Sequence, residues 1–224
     1  IGGVDAMQNC LDFIKLNPTK KAVVVTTDFA KYDLNSTGEY TQGAGAVAIL
    51  ISANPRIIAF ENHWGVSTKG VFDFFKPYRT ISKQEITGNN NNEAWFDNLE
   101  GEIEIHKDQP VFDGQYSNQC YMDRTKDAYF AFKKEKNTSE TIYDNWKSIV
   151  MHLPYAFQGR RMLTEIYALD ATEAVITGNE TPEEYQNKLK EISKTPAYQD
   201  FVSQKLQPAE IASSLIGNLY TGSI

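Results

Sequence analysis

Three histidines, His63, His106 and His152, could move protons near neutral pH without a special environment. His106 sits between Ile105 and Lys107 in an acidic stretch, and His63 follows Glu61-Asn62 at an expected strand exit, so both read as solvated surface groups. His152 is placed differently. It ends the apolar run 148–151 and precedes Leu153-Pro154-Tyr155, which would bring its imidazole out at the mouth of a sheet, where α/β enzymes assemble their sites. A core histidine bonded to a carbonyl fits the same local sequence equally well. Asp28-Phe-Ala-Lys-Tyr32 puts a carboxylate and a phenol at the end of a strand; as plain structure they would be a helix cap and a packing tyrosine. Asn218, in the glycine-punctuated Gly217-Asn-Leu-Tyr-Thr-Gly-Ser223, could cap a helix or hold a carbonyl oxygen through its amide.

Thr41-Gln-Gly-Ala-Gly-Ala46 sets two glycines one residue apart just before a strand, for a bulge or for close approach of a ligand to the backbone. It is not a dinucleotide fingerprint, because these glycines precede a strand instead of linking strand to helix. Cys10 lies well inside the first helix, away from the N-terminal end that activates a thiolate, and Cys120 precedes an aromatic helix face, so both read as packing groups. Neither has His or Cys neighbours at metal-ligand spacing, and no metal site is expected.

The elements that must carry these residues are legible as periodicities. Val4, Met7, Leu11 and Ile14 share one helical face, so a helix is expected over 3–16, stopped by Asn17-Pro18. Runs at 21–27, 43–51 and 56–61 read as strands, the first buried on both faces and the last two adjacent across Ser-Ala-Asn-Pro. The polar stretch 80–110 reads as an insertion with an edge strand over 101–107. Tyr121, Thr125, Ala128, Tyr129 and Phe132 mark a helix, 149–152 a strand end, and about 159–169 another helix. Thr181-Pro-Glu-Glu opens a helix through Ile192, followed by a short one at about 198–206, within a helical insertion over about 172–208. Alternating strands and amphipathic helices predict a layered α/β fold.

The whole composition narrows the function. The 224 residues carry a net charge of −7, which gives no field to gather nucleic acid non-specifically. The longest apolar run, 44–51, falls far short of the roughly 20 residues that span a bilayer. Sparse cysteine without a leader points to a reducing compartment, the cytoplasm. The abrupt first residues and a last segment that opens a new element read as a fragment.

Six blocks, taken in order, carry a resemblance: Thr27-Asp-Phe-Ala-Lys-Tyr-Asp-Leu-Asn-Ser36, Thr41-Gln-Gly-Ala-Gly-Ala-Val-Ala48, Asp73-Phe-Phe-Lys-Pro77, Phe112-Asp-Gly-Gln-Tyr-Ser117, His152-Leu-Pro-Tyr155 and Gly217-Asn-Leu-Tyr-Thr-Gly-Ser223. Together the chain resembles the central portion of hydroxymethylglutaryl-CoA synthases, which implies an incomplete thiolase-like layered αβαβα fold. The resemblance implies condensation of acetyl-CoA with acetoacetyl-CoA through an acetyl-cysteine, in the mevalonate pathway, with no cofactor beyond those substrates and with a homodimer as the intact form. It assigns His152 to the acetoacetyl carbonyl and Asn218 to acyl oxygen, as the catalytic pair. Asp28, Tyr32 and Ser223 would line the acyl pocket, and Arg161 would keep one of two cations expected near the CoA phosphates, the other position being Phe157. The family's nucleophilic cysteine would stand one residue before Ile1 and its glutamate base further upstream, so the isolated 224 residues are expected to show no turnover. A carrier-protein-dependent synthase and a non-catalytic acyl-CoA-binding fragment are the competing readings.

Overall fold

The first helix, α1 (Gly2–Leu16), has the expected apolar stripe, with Met7 and Ile14 buried. It lies on the antiparallel hairpin of β1 (Lys21–Phe29) and β2 (Ala44–Ser52), whose register runs from Lys21↔Ser52 to Phe29↔Ala44. Met7, Ile14, Val24 and Ile51 form the shared core. The structure is a computed structural model that describes residues 2–88, 101–171 and 176–223.

Strand β1 departs from the sequence expectation. It is covered on one face only: Val24 and Thr26 are buried under α1 while Val23 and Val25 stand outward, 56% and 65% exposed. A β-branched run without polar alternation therefore does not report two-sided burial here. The expected strands at 56–61 and 149–152 are also absent from the described ladders. Ile149 instead donates its N–H to the Lys205 carbonyl at 2.8 Å and buries its side chain among helices, so its apolar run packs a helical core and pairs with no strand.

A short ladder joins β3 (Phe74–Phe75) to β6 (Val111–Phe112), and beyond it β4 (Tyr78–Ser82) pairs with β5 (Glu102–His106). The second ladder includes the expected edge strand, and much of the expected insertion between the two strands, 89–100, lies outside the described residues. Ser82 and Glu85 close a reciprocal capping box on α2 (Lys83–Thr87). Helix α3 (Gly114–Glu135) begins where the Asp113 carboxylate accepts the N–H groups of Gln115 and Tyr116. It packs on α4 (Gln158–Asp170) through Tyr129, Leu163 and Ile166, with Tyr143, Tyr198 and Phe201 completing an aromatic core.

Thr181 and Glu184 form the cap that Thr-Pro-Glu-Glu predicts at the start of α5 (Pro182–Ile192). The next helix, α6 (Pro196–Phe201), does not end the helical region. It widens into a π-type turn at Val202–Leu206 and continues as α7 (Gln207–Ile216). Pro208 follows directly on the π-type turn, whose widened hydrogen-bond pattern takes up the residue that cannot donate. A final 3₁₀ turn covers Tyr220–Ser223. No helix among the described residues is long and apolar enough to cross a membrane.

Candidate active site

The turn after α7 returns to the hairpin and builds one wall of the site. Asn218 donates its N–H to the Thr41 carbonyl at 2.8 Å and forms a parallel bridge with Gln42. The approach is so close that a β-carbon on Gly43 would stand 2.5 Å from the Ile216 carbonyl oxygen, and one on Gly217, whose φ is +88°, 2.3 Å from the Gln42 oxygen. The closely spaced glycines of 43–45 thus serve approach of the chain's own backbone. Over Gly45 it is the Leu219 side chain that fills the space, 3.1 Å from where a β-carbon would stand.

Four expected site residues meet at this turn. Thr221 Oγ1 donates to Asp28 Oδ2 at 3.0 Å and also lies 3.3 Å from the Thr27 carbonyl oxygen. Tyr32 and Tyr220 share a hydroxyl–hydroxyl hydrogen bond of 2.6 Å. Tyr32 is buried, and its backbone N–H donates to Gln42 Oε1 at 2.8 Å. Asn218 is buried and its Oδ1 accepts the Tyr220 N–H at 3.1 Å, so the amide oxygen is spent on the turn. Its Nδ2 has no hydrogen-bond partner among the described residues and remains the donor that could meet an acyl oxygen. Ser223 ends the same turn, half-buried.

The site residues missed by sequence reasoning are those that hold this arrangement. Tyr220 adopts φ +45°, unusual for a residue with a β-carbon, and presents its ring to Phe74 edge-on at 5.8 Å. Phe112 stands edge-on to Tyr32 at 5.9 Å, so β3 and β6 supply an aromatic wall behind the paired phenols. Burial and the bond to Tyr32 push the Tyr220 phenol well above its usual range. The blocks that carry the resemblance contain all four rings, yet no spacing rule pairs residues 188 apart in the chain. The turn also reaches the start of α1: a β-carbon on Gly2 would lie 3.9 Å from Thr221 Cγ2.

His152 and Arg161 lie on a second wall, and no hydrogen bond or ring contact among the described residues joins them to the first. The His152 carbonyl accepts the Tyr121 hydroxyl at 2.6 Å, and the two rings are 6.5 Å apart. Its residue surface is exposed, but protein atoms crowd the imidazole, and desolvation lowers its pKa below 6.5. Burial pushes the Tyr121 phenol up to about 12, which keeps it a donor. Arg161 is exposed and donates to the Tyr155 hydroxyl at 3.0 Å. Arg160, the neighbouring cation, donates bidentately to Glu210, Nε to Oε1 at 3.1 Å and Nη2 to Oε2 at 2.6 Å, and lies over the Phe157 ring, so it is occupied within the fold. Its charge is already matched. His63 and His106 are exposed, as expected; the first lies 3.7 Å from Glu135 and the second stacks on Tyr78.

A cavity of about 730 Å³ opens beside the second wall, lined by Asp73, Cys120, Tyr121, Arg124, Met151 and Leu163 among others. None of the expected site residues lines it. Tyr121 connects the two, with its ring in the cavity and its hydroxyl on the His152 backbone.

The chain is similar to known proteins along its whole length. A hydroxymethylglutaryl-CoA synthase of Enterococcus faecalis is 30% identical over all of this chain and 44% of its own length. The MvaS protein solved in complex with 3-hydroxy-3-methylglutaryl coenzyme A superposes with a TM-score of 0.73 at 26% identity, over 99% of this chain and 47% of that one. The HMG synthase of the curacin biosynthetic pathway, solved with an acetyl donor-ACP, matches in fold with a TM-score of 0.67 at 18% identity, over 99% and 43%. The chain spans about half the length of the curated relatives it matches. The family model described as hydroxymethylglutaryl-coenzyme A synthase C terminal matches residues 96–224, which takes in the Tyr121–His152 wall and the whole Asn218 turn. On these grounds the chain belongs to the hydroxymethylglutaryl-CoA synthase family, with its thiolase-like α/β fold.

Proposed function

We propose that the chain is the acyl-holding portion of an enzyme that condenses acetyl-CoA with acetoacetyl-CoA to 3-hydroxy-3-methylglutaryl-CoA in the mevalonate pathway, as a cytoplasmic homodimer. The observation that carries this reading is the seating of the Asn218 turn, with Asp28 and Thr221 bonded together, against the first turn of α1. A cysteine placed immediately before Ile1 would enter that helix end, where the unpaired backbone N–H groups and the helix dipole favour a thiolate.

In this reading the thiolate takes the acetyl group from acetyl-CoA and CoA leaves as the thiol. A carboxylate base upstream removes a methyl proton from the acetyl-cysteine, the enolate carbon attacks the ketone of acetoacetyl-CoA, and water cleaves the enzyme thioester. Asn218 Nδ2 donates to an acyl oxygen as charge builds there. The His152 imidazole, whose lowered pKa favours the neutral form, donates one N–H as a hydrogen bond to the ketone, and the alkoxide that forms takes back the proton the carboxylate base has removed. Asp28 orders the site through Thr221. Arg161, exposed on α4, is the cation available to a CoA phosphate.

A carrier-bound ketone is the alternative substrate. The block Phe112-Asp-Gly-Gln-Tyr-Ser117 and the higher identity to the relatives named above favour free acetoacetyl-CoA. The test is to read the codon before Ile1 and to assay the full-length protein. Cysteine there, with CoA release from acetyl-CoA plus free acetoacetyl-CoA, is the expected result. Another residue at that position, or turnover by the isolated 224 residues, overturns the proposal.

A further inference from the structure

The arm formed by β4 and β5 contacts the loop that leaves β1, and the contacts have a pattern. Lys31 Nζ lies 3.1 Å from Asp108 Oδ2, and Lys107 Nζ is bonded to Asp33 Oδ2. Lys31 and Asp33 flank Tyr32, the buried phenol that meets Tyr220. Two adjacent arm residues of opposite charge therefore bracket one pocket residue. The order of charges specifies the register: sliding the arm by one residue would set Lys107 against Lys31 or Asp108 against Asp33, both repulsive.

The arm is firmly rooted at this end. The Lys107 N–H donates to the Pro77 carbonyl at 2.7 Å, extending the ladder beyond Tyr78↔His106. His106 stacks on Tyr78 with ring centres 4.1 Å apart, and its Nδ1 is 3.1 Å from the Lys76 carbonyl. Immediately inward, Phe74↔Phe112 forms the aromatic wall that touches both phenols. From the inside, Tyr32 is held by Gln42 and Tyr220; from the outside, its flanks are held by the arm.

We propose that Lys107 and Asp108 are positioning residues for the acyl pocket: they clasp Asp33 and Lys31, and so hold Tyr32 at Tyr220. This rests on the synthase reading for its catalytic consequence, whereas the clasp itself stands on the geometry alone. Because every partner is at least a third exposed, each pair is weak and screened by salt, so the device tunes binding and does not determine folding.

The experiment compares, in the full-length protein, Lys107→Asp, Asp33→Lys and the swapped double variant. Each single reversal is expected to raise KM for the acyl-CoA substrates by about three- to tenfold with kcat within about twofold, and the swap to restore KM. Amide hydrogen exchange over residues 30–34 should accelerate in the single variants and return in the swap. Unchanged KM and exchange in the single variants, or a swap no better than either single, overturns the clasp. If the unmodified full-length protein releases no CoA, the synthase reading has failed, and the exchange result still decides the clasp.

Discussion

At the residue scale, His152 has the most specific assigned work. Its exposed surface, crowded ring and lowered pKa together describe an imidazole whose neutral form is favoured by desolvation. The sign of the linkage follows from desolvation. The folded-state pKa is below 6.5, so the neutral form is unperturbed above that value; as pH falls from 6.5 toward the folded value, the unfolded chain takes up the proton first and the folded form is disfavoured. In the full-length protein, an acid limb attributable to this group should therefore lie below pH 6.5; a limb above that value would assign the titration elsewhere. His152→Ala should raise KM for acetoacetyl-CoA by about tenfold, the worth of one hydrogen bond to a polar ligand, and leave acetylation of the cysteine nearly unchanged. Equal losses in both half-reactions would remove His152 from the ketone. His152 was legible only as a local pattern: the apolar run before it was expected to end a strand and bring the imidazole to the mouth of a sheet, but that run packs a helical core and pairs with no strand among the described residues. Tyr220 was not legible, since its role depends on a phenol brought from the other end of the chain and on a positive φ that no one-dimensional pattern encodes.

At the element scale, α3 and α4 are joined by a buried polar cluster. Asp170, at the end of α4, accepts the Tyr129 hydroxyl at 2.5 Å and the Lys133 ammonium, while its backbone carbonyl accepts the Thr141 hydroxyl. The Lys133 and Asp170 side chains are only 8% and 7% exposed, so desolvation is a large cost that only a complete set of partners offsets. Removing one partner is the severe change. Lys133→Met keeps the side-chain volume but leaves a buried carboxylate with the phenol alone, and should destabilise the fold by about 3–5 kcal/mol in urea unfolding. A loss within about 1 kcal/mol would mean that the ammonium is effectively solvated. The helices themselves were readable: caps at Thr181 and the stop at Asn17-Pro18 are chemical signals of one residue each. The strands were harder, because β propensity reports fit to a pleated, half-buried surface and so cannot distinguish 56–61 or 149–152 from runs that find a partner. Helix α7 escaped because Pro208 reads as a breaker unless the π-type turn before it is known.

At the scale of the whole molecule, the chain exposes more than its mass requires. A compact monomer of 25.3 kDa shows on the order of 10,000 Å² of surface. This chain shows 15281 Å². The difference is comparable to a large obligate interface, of roughly 2,000–5,000 Å². Its chemistry is apolar in contiguous places: Val23, Val25, Phe29 and Leu50 stand on the outward face of the β1–β2 hairpin, and Ile211, Leu215 and Ile216 stand along α7. A contiguous apolar sheet face of this kind marks an interaction surface. The isolated 224 residues should consequently bind an apolar dye such as ANS and self-associate at tens of micromolar, seen as concentration-dependent sedimentation. The full-length protein should sediment as one species of fixed stoichiometry with little dye bound. Val25→Lys combined with Leu50→Lys should reduce association of the isolated chain, because two charges on that face make its burial costly, while the α1-facing core of Val24 and Ile51 is left intact. A monodisperse, dye-free isolated chain would show that the hairpin face is content in water.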